Sequence, residues 1–207
     1  QALPELTPDG DVVAPSAISL KSFGQQEEHD AREMTAEEIE QTIRDFGEAT
    51  RRAIEAGFDG VEIHGANHYL IHQFVSPYYN RRNDVWADNY KFPVAVIDEV
   101  VKAKKAHAND DFIIGYRLSP EEAESPGISM EITEELIHQI ANKPLDYIHV
   151  SLMDVNSVTR EGKYKGENRL ELIHQWINGR MPLIGIGSVF TAEDALNAVE
   201  NIGVEFV

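Results

Sequence analysis

Residues 56–64, Ala-Gly-Phe-Asp-Gly-Val-Glu-Ile-His, decide how the chain is read. Upstream, Thr35-Ala-Glu-Glu38 has capping-box spacing, and Ile39, Ile43, Phe46, Ala49, Ala53 and Ile54 fall on one helical face. Gly57 stops that helix, and an apolar, β-rich run starts at once. A helix that hands the chain straight to a strand is half of a repeating α/β unit.

Working outward, four further runs read as strands: residues 112–118, 145–151, 183–187 and 204–207. Most lack clean polar alternation, which predicts parallel strands buried on both faces. Residues 92–106, 131–142, 168–178 and 192–200 read as the helices between them, the last capped by Thr191. No G-x-G-x-x-G or Walker glycine loop follows any strand. The expected fold is therefore α/β, a (β/α)8 barrel, with five strands visible where eight are needed. An open five-stranded α/β sheet is the alternative. Residues 1–207 are expected to form a single domain, the C-terminal part of such a barrel. Within it, residues 1–34, with Pro4, Pro8, Gly10, Pro15 and a charged stretch at 25–33, predict a long loop before the first helix.

Composition narrows the function. The 207 residues carry 18 basic and 36 acidic side chains, a formal charge of −18, and are 42% hydrophobic. That is enough for a packed core, while the negative excess argues against a nucleic-acid partner. No apolar run is long enough to cross a membrane, and the first residues show no secretory signal, so a cytoplasmic location is expected. With no cysteine, disulfides, thiolate metal sites and a thiol nucleophile are excluded.

Catalysis in a barrel sits at the C-terminal ends of its strands. The first strand ends in Glu62-Ile-His64-Gly-Ala-Asn67-His68-Tyr69. His64 and Asn67 can both donate to one substrate oxygen, and Tyr69 offers a phenolic proton for general-acid catalysis. The spacing His64, His68, His72 also admits a metal face, the basis of an alternative metal-dependent hydrolase. Arg117 stands in an otherwise apolar strand and calls for an anion. Gly185, Gly187 and Ser188 lie between a strand and the helix opened at Thr191, a place suited to a phosphate.

These segments together resemble the old yellow enzyme family of FMN-dependent NAD(P)H oxidoreductases. Those that carry the resemblance are Val13-Ala-Pro-Ser-Ala-Ile18, Met34-Thr-Ala-Glu-Glu-Ile39, residues 56–70, Gln73-Phe-Val-Ser-Pro77, Asn80-Arg-Arg-Asn-Asp84, Tyr116-Arg-Leu-Ser119, His149-Val-Ser151 and Ile184-Gly-Ile-Gly187. The resemblance implies a barrel of which this chain supplies strands four to eight, FMN as cofactor and NAD(P)H as reductant. It implies a small-molecule acceptor, an activated alkene such as an α,β-unsaturated carbonyl. It assigns His64 and Asn67 to substrate binding and Tyr69 to proton donation. Arg117 is assigned to the edge of the flavin ring, and Gly187 with its neighbours to its phosphate. The family usually has glycine at the position of His68, and an aromatic-Gly-Gly sequence where this chain has Trp86-Ala-Asp88. Its remaining flavin contacts have no counterpart in these residues. That sets up a rival expectation, a truncated barrel that binds no flavin, and a second expectation, a homo-oligomer or second chain completing the barrel.

Overall fold

The computed structural model describes residues 7–21 and 28–207; Pro4 and residues 25–27 of the charged stretch lie outside them. Where a loop is expected before the first helix, three short strands form instead: β1 (Val13–Ala14), β2 (Ile18–Lys21) and β3 (Glu28–Glu33). They order as β1-β3-β2, with β1 parallel and β2 antiparallel to β3. Charge-rich β3 has no strand-like composition, so its conformation comes from pairing on both edges rather than propensity.

The Asn80-Arg-Arg-Asn-Asp84 segment ties this small sheet to the rest. Arg82 donates through Nη1 to the carbonyls of Pro15 and Met34, both at 2.7 Å, and through Nη2 to Asp84. The Arg81 N–H donates to Ser16 Oγ at 2.9 Å. Buried Asn80 donates through Nδ2 to the carbonyls of Phe74 and Trp86, both at 2.9 Å. Asp84 caps the turn at Val85–Ala87 by accepting from the Trp86 N–H, which closes the loop without the paired glycines usual in the resembled family.

Beyond it, helix and strand alternate: α1 (Ala36–Glu55), β4 (Gly60–Gly65), α2 (Leu70–Val75), α3 (Lys91–His107), β5 (Ile113–Leu118), α4 (Met130–Ile140), β6 (Tyr147–Val150), α5 (Arg169–Ile177), β7 (Leu183–Gly185) and α6 (Ala192–Asn197). The capping box at Thr35 and Glu38 is present, as are the Asn168 and Thr191 caps. Strands β4 to β7 pair in parallel and in sequence order, the arc of a barrel wall. The last predicted strand appears as one parallel bridge, Phe206 to Ile184, with the Gly185 N–H donating to the Phe206 carbonyl at 3.0 Å.

The sheet is not apolar on both faces. Ile63, Ile114, Tyr116, Leu118, Ile148, Val150 and Leu183 are buried beneath the helices. The opposite face carries Glu62, His64, Arg117, Tyr147 and His149, which are incompletely buried. On it, Glu62 accepts from the Tyr147 hydroxyl at 3.1 Å and meets His149 Nδ1 at 2.8 Å. Phe92 is fully buried between Phe74, stacked at 4.0 Å, and Trp86, edge-on at 6.4 Å, and this fixes α3 against α2.

Removing the Asn80 amide leaves two buried carbonyls unpaired. Asn80→Ala is expected to destabilise the fold by about 2–4 kcal/mol in chemical denaturation, with an unchanged m-value. A loss below about 0.5 kcal/mol would show that water replaces both bonds.

Candidate active site

The site is built where β4, β5 and β6 end. After Gly65 the chain turns through Asn67 and His68, both with positive φ (57° and 59°), and Tyr69 then stands at the N-cap position of α2, its side chain making no capping bond. Two successive non-glycine residues in this region cost of order 1–3 kcal/mol each, so surrounding bonds must hold them. Gln73 Nε2 donates to the His68 carbonyl at 2.8 Å, and the Asn67 N–H donates to Ser119 Oγ at 3.0 Å. His68 thus takes a backbone conformation that suits glycine, the residue usual at this position in the resembled family.

His64 pairs in register with Arg117, which in turn pairs with His149. The Ala66 N–H donates to His64 Nδ1 at 3.2 Å, so in the neutral ring the proton sits on Nε2. Burial, and then the positive charge of Arg117, push the imidazole below its ordinary value of 6.5. His64 is therefore a neutral Nε2–H donor. Its ring lies 5.0 Å from that of Tyr69, which is half exposed at the cleft.

Asn67 presents the other donor. Its Oδ1 accepts from two hydroxyls, Ser119 and Ser151, both at 3.2 Å. Ser151 Oγ in turn accepts from Arg117 Nη2 at 2.9 Å. Arg117 Nε is buried and has no hydrogen-bond partner among the described residues. Asn67, Tyr69, Arg117, Ser119, Ser151 and Ile186 line one cleft of about 640 Å3.

The predicted phosphate residues divide. Gly187 has φ 119°, and a Cβ there would lie 2.5 Å from the Asp154 nitrogen, so only glycine fits. Gly185 is different: its N–H is spent on Phe206, and Leu170 and Val204 fill the place of a side chain. It serves packing and offers no free donor. The Ser188 hydroxyl donates to the Met153 carbonyl at 2.9 Å. The start of α6 is also occupied, because Asp194 accepts from the N–H groups of Phe190 and Thr191. Hydrogen bonding with the Thr191 hydroxyl, and then with those two N–H groups, holds the Asp194 carboxyl below its usual range and places a negative charge where a phosphate was expected.

The three histidines do not meet as a set. His68 and His72 instead converge on Glu122, with ligand-capable atoms within 4.8 Å of one another. Glu122 Oε2 lies 2.7 Å from His72 Nε2 and 3.7 Å from His68 Nδ1. Its Oε1 accepts from Ser76 Oγ and from the Ile128 N–H. Burial opposes the charge on Glu122, but the bonds from His72 and Ser76 outweigh it and hold the carboxyl below its ordinary value. The donor set could take a divalent ion, yet the carboxylate is already satisfied by protein donors, which accounts for the cluster as support beneath the loop.

Sequence reasoning passed over Ser119, Ser151 and Glu122 as functional positions. A signal existed for the serines: each directly follows the last residue of a strand, and those residues, Leu118 and Val150, are register partners. No comparable signal marks Glu122, whose side-chain partners Ser76 and His72 lie 46 and 50 residues away.

Folding lowers the proton affinity of His64, so its protonation opposes the native state. The stability tied to it is whole above about pH 6.5 and falls away as pH drops below that toward the folded-state midpoint. NMR titration of the His64 ring should give a midpoint below 6.5 with the Nε2–H tautomer above it. A midpoint above 6.5, or an Nδ1–H tautomer, would contradict this geometry.

Comparison with known proteins agrees with this architecture. The old yellow enzyme homologue of Zymomonas mobilis matches 95% of the chain at TM-score 0.75 and 21% identity, a likeness of fold, and is itself covered over 56%. The probable NADH-dependent flavin oxidoreductase YqiG of Bacillus subtilis is 50% identical over 95% of this chain, which spans 53% of that relative. The NADH:acrylate oxidoreductase of Vibrio harveyi is 45% identical over 81% of this chain, a match covering 17% of that larger protein. The chain therefore spans about half or less of these proteins. The model of the NADH:flavin oxidoreductase / NADH oxidase family matches residues 1–207, and the chain belongs to that family.

Proposed function

We propose that the protein is an FMN-dependent oxidoreductase that uses NAD(P)H to reduce an alkene conjugated to a carbonyl or carboxylate, with this chain supplying the acceptor-facing part of the site. One observation carries the reading. Two side chains locked as donors, His64 through Nε2–H and Asn67 through Nδ2–H, stand beside a half-exposed phenol and a guanidinium with an unspent donor. Among the relatives, the Vibrio harveyi protein is named for acting on acrylate, an alkene of this class.

The chain has a place suited to the edge of a flavin. A buried guanidinium N–H without an acceptor costs about 1–3 kcal/mol or more, and a flavin's carbonyl edge supplies an acceptor with growing negative charge. The backbone at Gly187 is the remaining candidate near a phosphate, Gly185 and the start of α6 being occupied. A bound FMN would supply the hydride chemistry between NAD(P)H and the acceptor. The work of this chain is to hold that acceptor. His64 and Asn67 donate to its carbonyl oxygen, which draws electron density from the conjugated β-carbon. Tyr69, whose ring lies 5.0 Å from that of His64, gives a proton to the α-carbon.

Tyr69→Phe removes one proton and little volume. In the full-length protein, reduction of FMN by NADH should persist, while reduction of 2-cyclohexenone falls by ~10²-fold or more. Equal losses in both half-reactions would show that the phenol acts structurally. Unchanged cyclohexenone reduction would remove Tyr69 from the chemistry.

A further inference from the structure

We infer that Ser119 and Ser151 are positioning residues that fix which end of the Asn67 amide meets the acceptor, and thereby restrict the site to ligands that offer an oxygen acceptor. The inference rests on the reading of Asn67 as a substrate-binding residue and adds what sets its polarity.

An asparagine amide is nearly symmetric in shape, and a half-turn exchanges donor for acceptor. Something must choose between the two. Ser119 Oγ accepts from the Asn67 backbone N–H at 3.0 Å, and Ser151 Oγ accepts from Arg117 Nη2 at 2.9 Å. Neither partner can do anything but donate. Each hydroxyl therefore has its single proton to give, and Asn67 Oδ1 stands 3.2 Å from both. Among the described residues, neither hydroxyl has another acceptor. Turning the amide over would strand both protons and point the carbonyl at the cleft. The observed polarity runs in one direction, from N–H and guanidinium through the hydroxyls to Oδ1, and leaves Nδ2 free.

The consequence is selectivity. With the Oδ1 of Asn67 and the Nδ1 of His64 each taken by a donor of the chain, what the two side chains have left to offer is N–H donors and no acceptor. A carbonyl, carboxylate or phenolate oxygen satisfies both, whereas a ligand whose matching group is an N–H donor leaves them unpaired and is rejected. Ser151 has a second role in the same chain of bonds. Its oxygen joins Arg117 on β5 to Asn67 after β4, so the placement of the donor depends on the guanidinium beside the proposed cofactor edge.

The test uses the full-length, FMN-loaded protein and 4-nitrophenolate, an oxygen acceptor with no proton to give, titrated by calorimetry. Ser119→Ala/Ser151→Ala should weaken its binding by about 10-fold with FMN content unchanged, and adding it to Asn67→Ala should cause no further loss. Ser151→Thr in the Ser119 background, which keeps the hydroxyl, should bind as wild type. If the double serine variant binds normally while Asn67→Ala loses affinity, the positioning role is wrong and the substrate-binding reading stands. If the serine variant loses the same factor in the Asn67→Ala background, the hydroxyls act on the ligand or the fold rather than through Asn67, and the inference fails. If Asn67→Ala binds normally, the substrate-binding reading fails and the inference falls with it.

Discussion

A guanidinium set into a sheet, with part of its hydrogen-bonding capacity unspent, is the constraint on which the rest of this structure turns. Arg117 occupies the middle of three register-paired positions, between His64 and His149, and its Nε is buried without a partner among the described residues. A charge in that place is costly unless it meets an anion. Its own strand offers none. The hydroxyl of Ser151 takes one N–H, and burial, reinforced by the Arg117 charge, depresses the proton affinity of His64 in the next strand. Arg117 thus adds to burial in keeping the imidazole neutral, helps through Ser151 to orient the amide, and leaves a donor open.

That placement depends on a sheet whose two faces differ. Residues such as Ile114, Tyr116 and Leu118 point toward the helices and make β5 a core strand, while Arg117 between them faces the other way. The helices, their caps and the positions of β4 to β7 were legible because period, capping chemistry and apolar runs coincide in this part of the sequence. The two-faced character was less so, because Ile113 and Ile184 interrupt the polar face and hide its alternation. The small sheet at Val13–Glu33 was not legible at all. Its strands are short, and a run such as Glu28-His-Asp-Ala-Arg-Glu33 is strand-like only through its neighbours.

The site divides in the same way. His64, Asn67, Tyr69 and Arg117 follow or lie in strands, and their chemistry is visible in the residue types. Gly185 shows the opposite: a glycine in a phosphate-like context is required by Leu170 and Val204 packing against it. His68 shows a third case, a side chain where the backbone favours glycine. It is held by Gln73 and packs beside His72 and Tyr79 over the buried Glu122. Sequence displays what a residue can do; which of its atoms are already spent belongs to the fold.

The central claim, that the Arg117 guanidinium faces the flavin edge, is tested most directly by the midpoint potential of FMN bound to the full-length Arg117→Met variant. Removing a positive charge from that edge disfavours the electron-rich state, so the potential should fall by tens of millivolts, on the order of 1–3 kcal/mol for a two-electron couple. A potential equal to wild type, with FMN still bound, would place Arg117 away from the flavin and contradict the account.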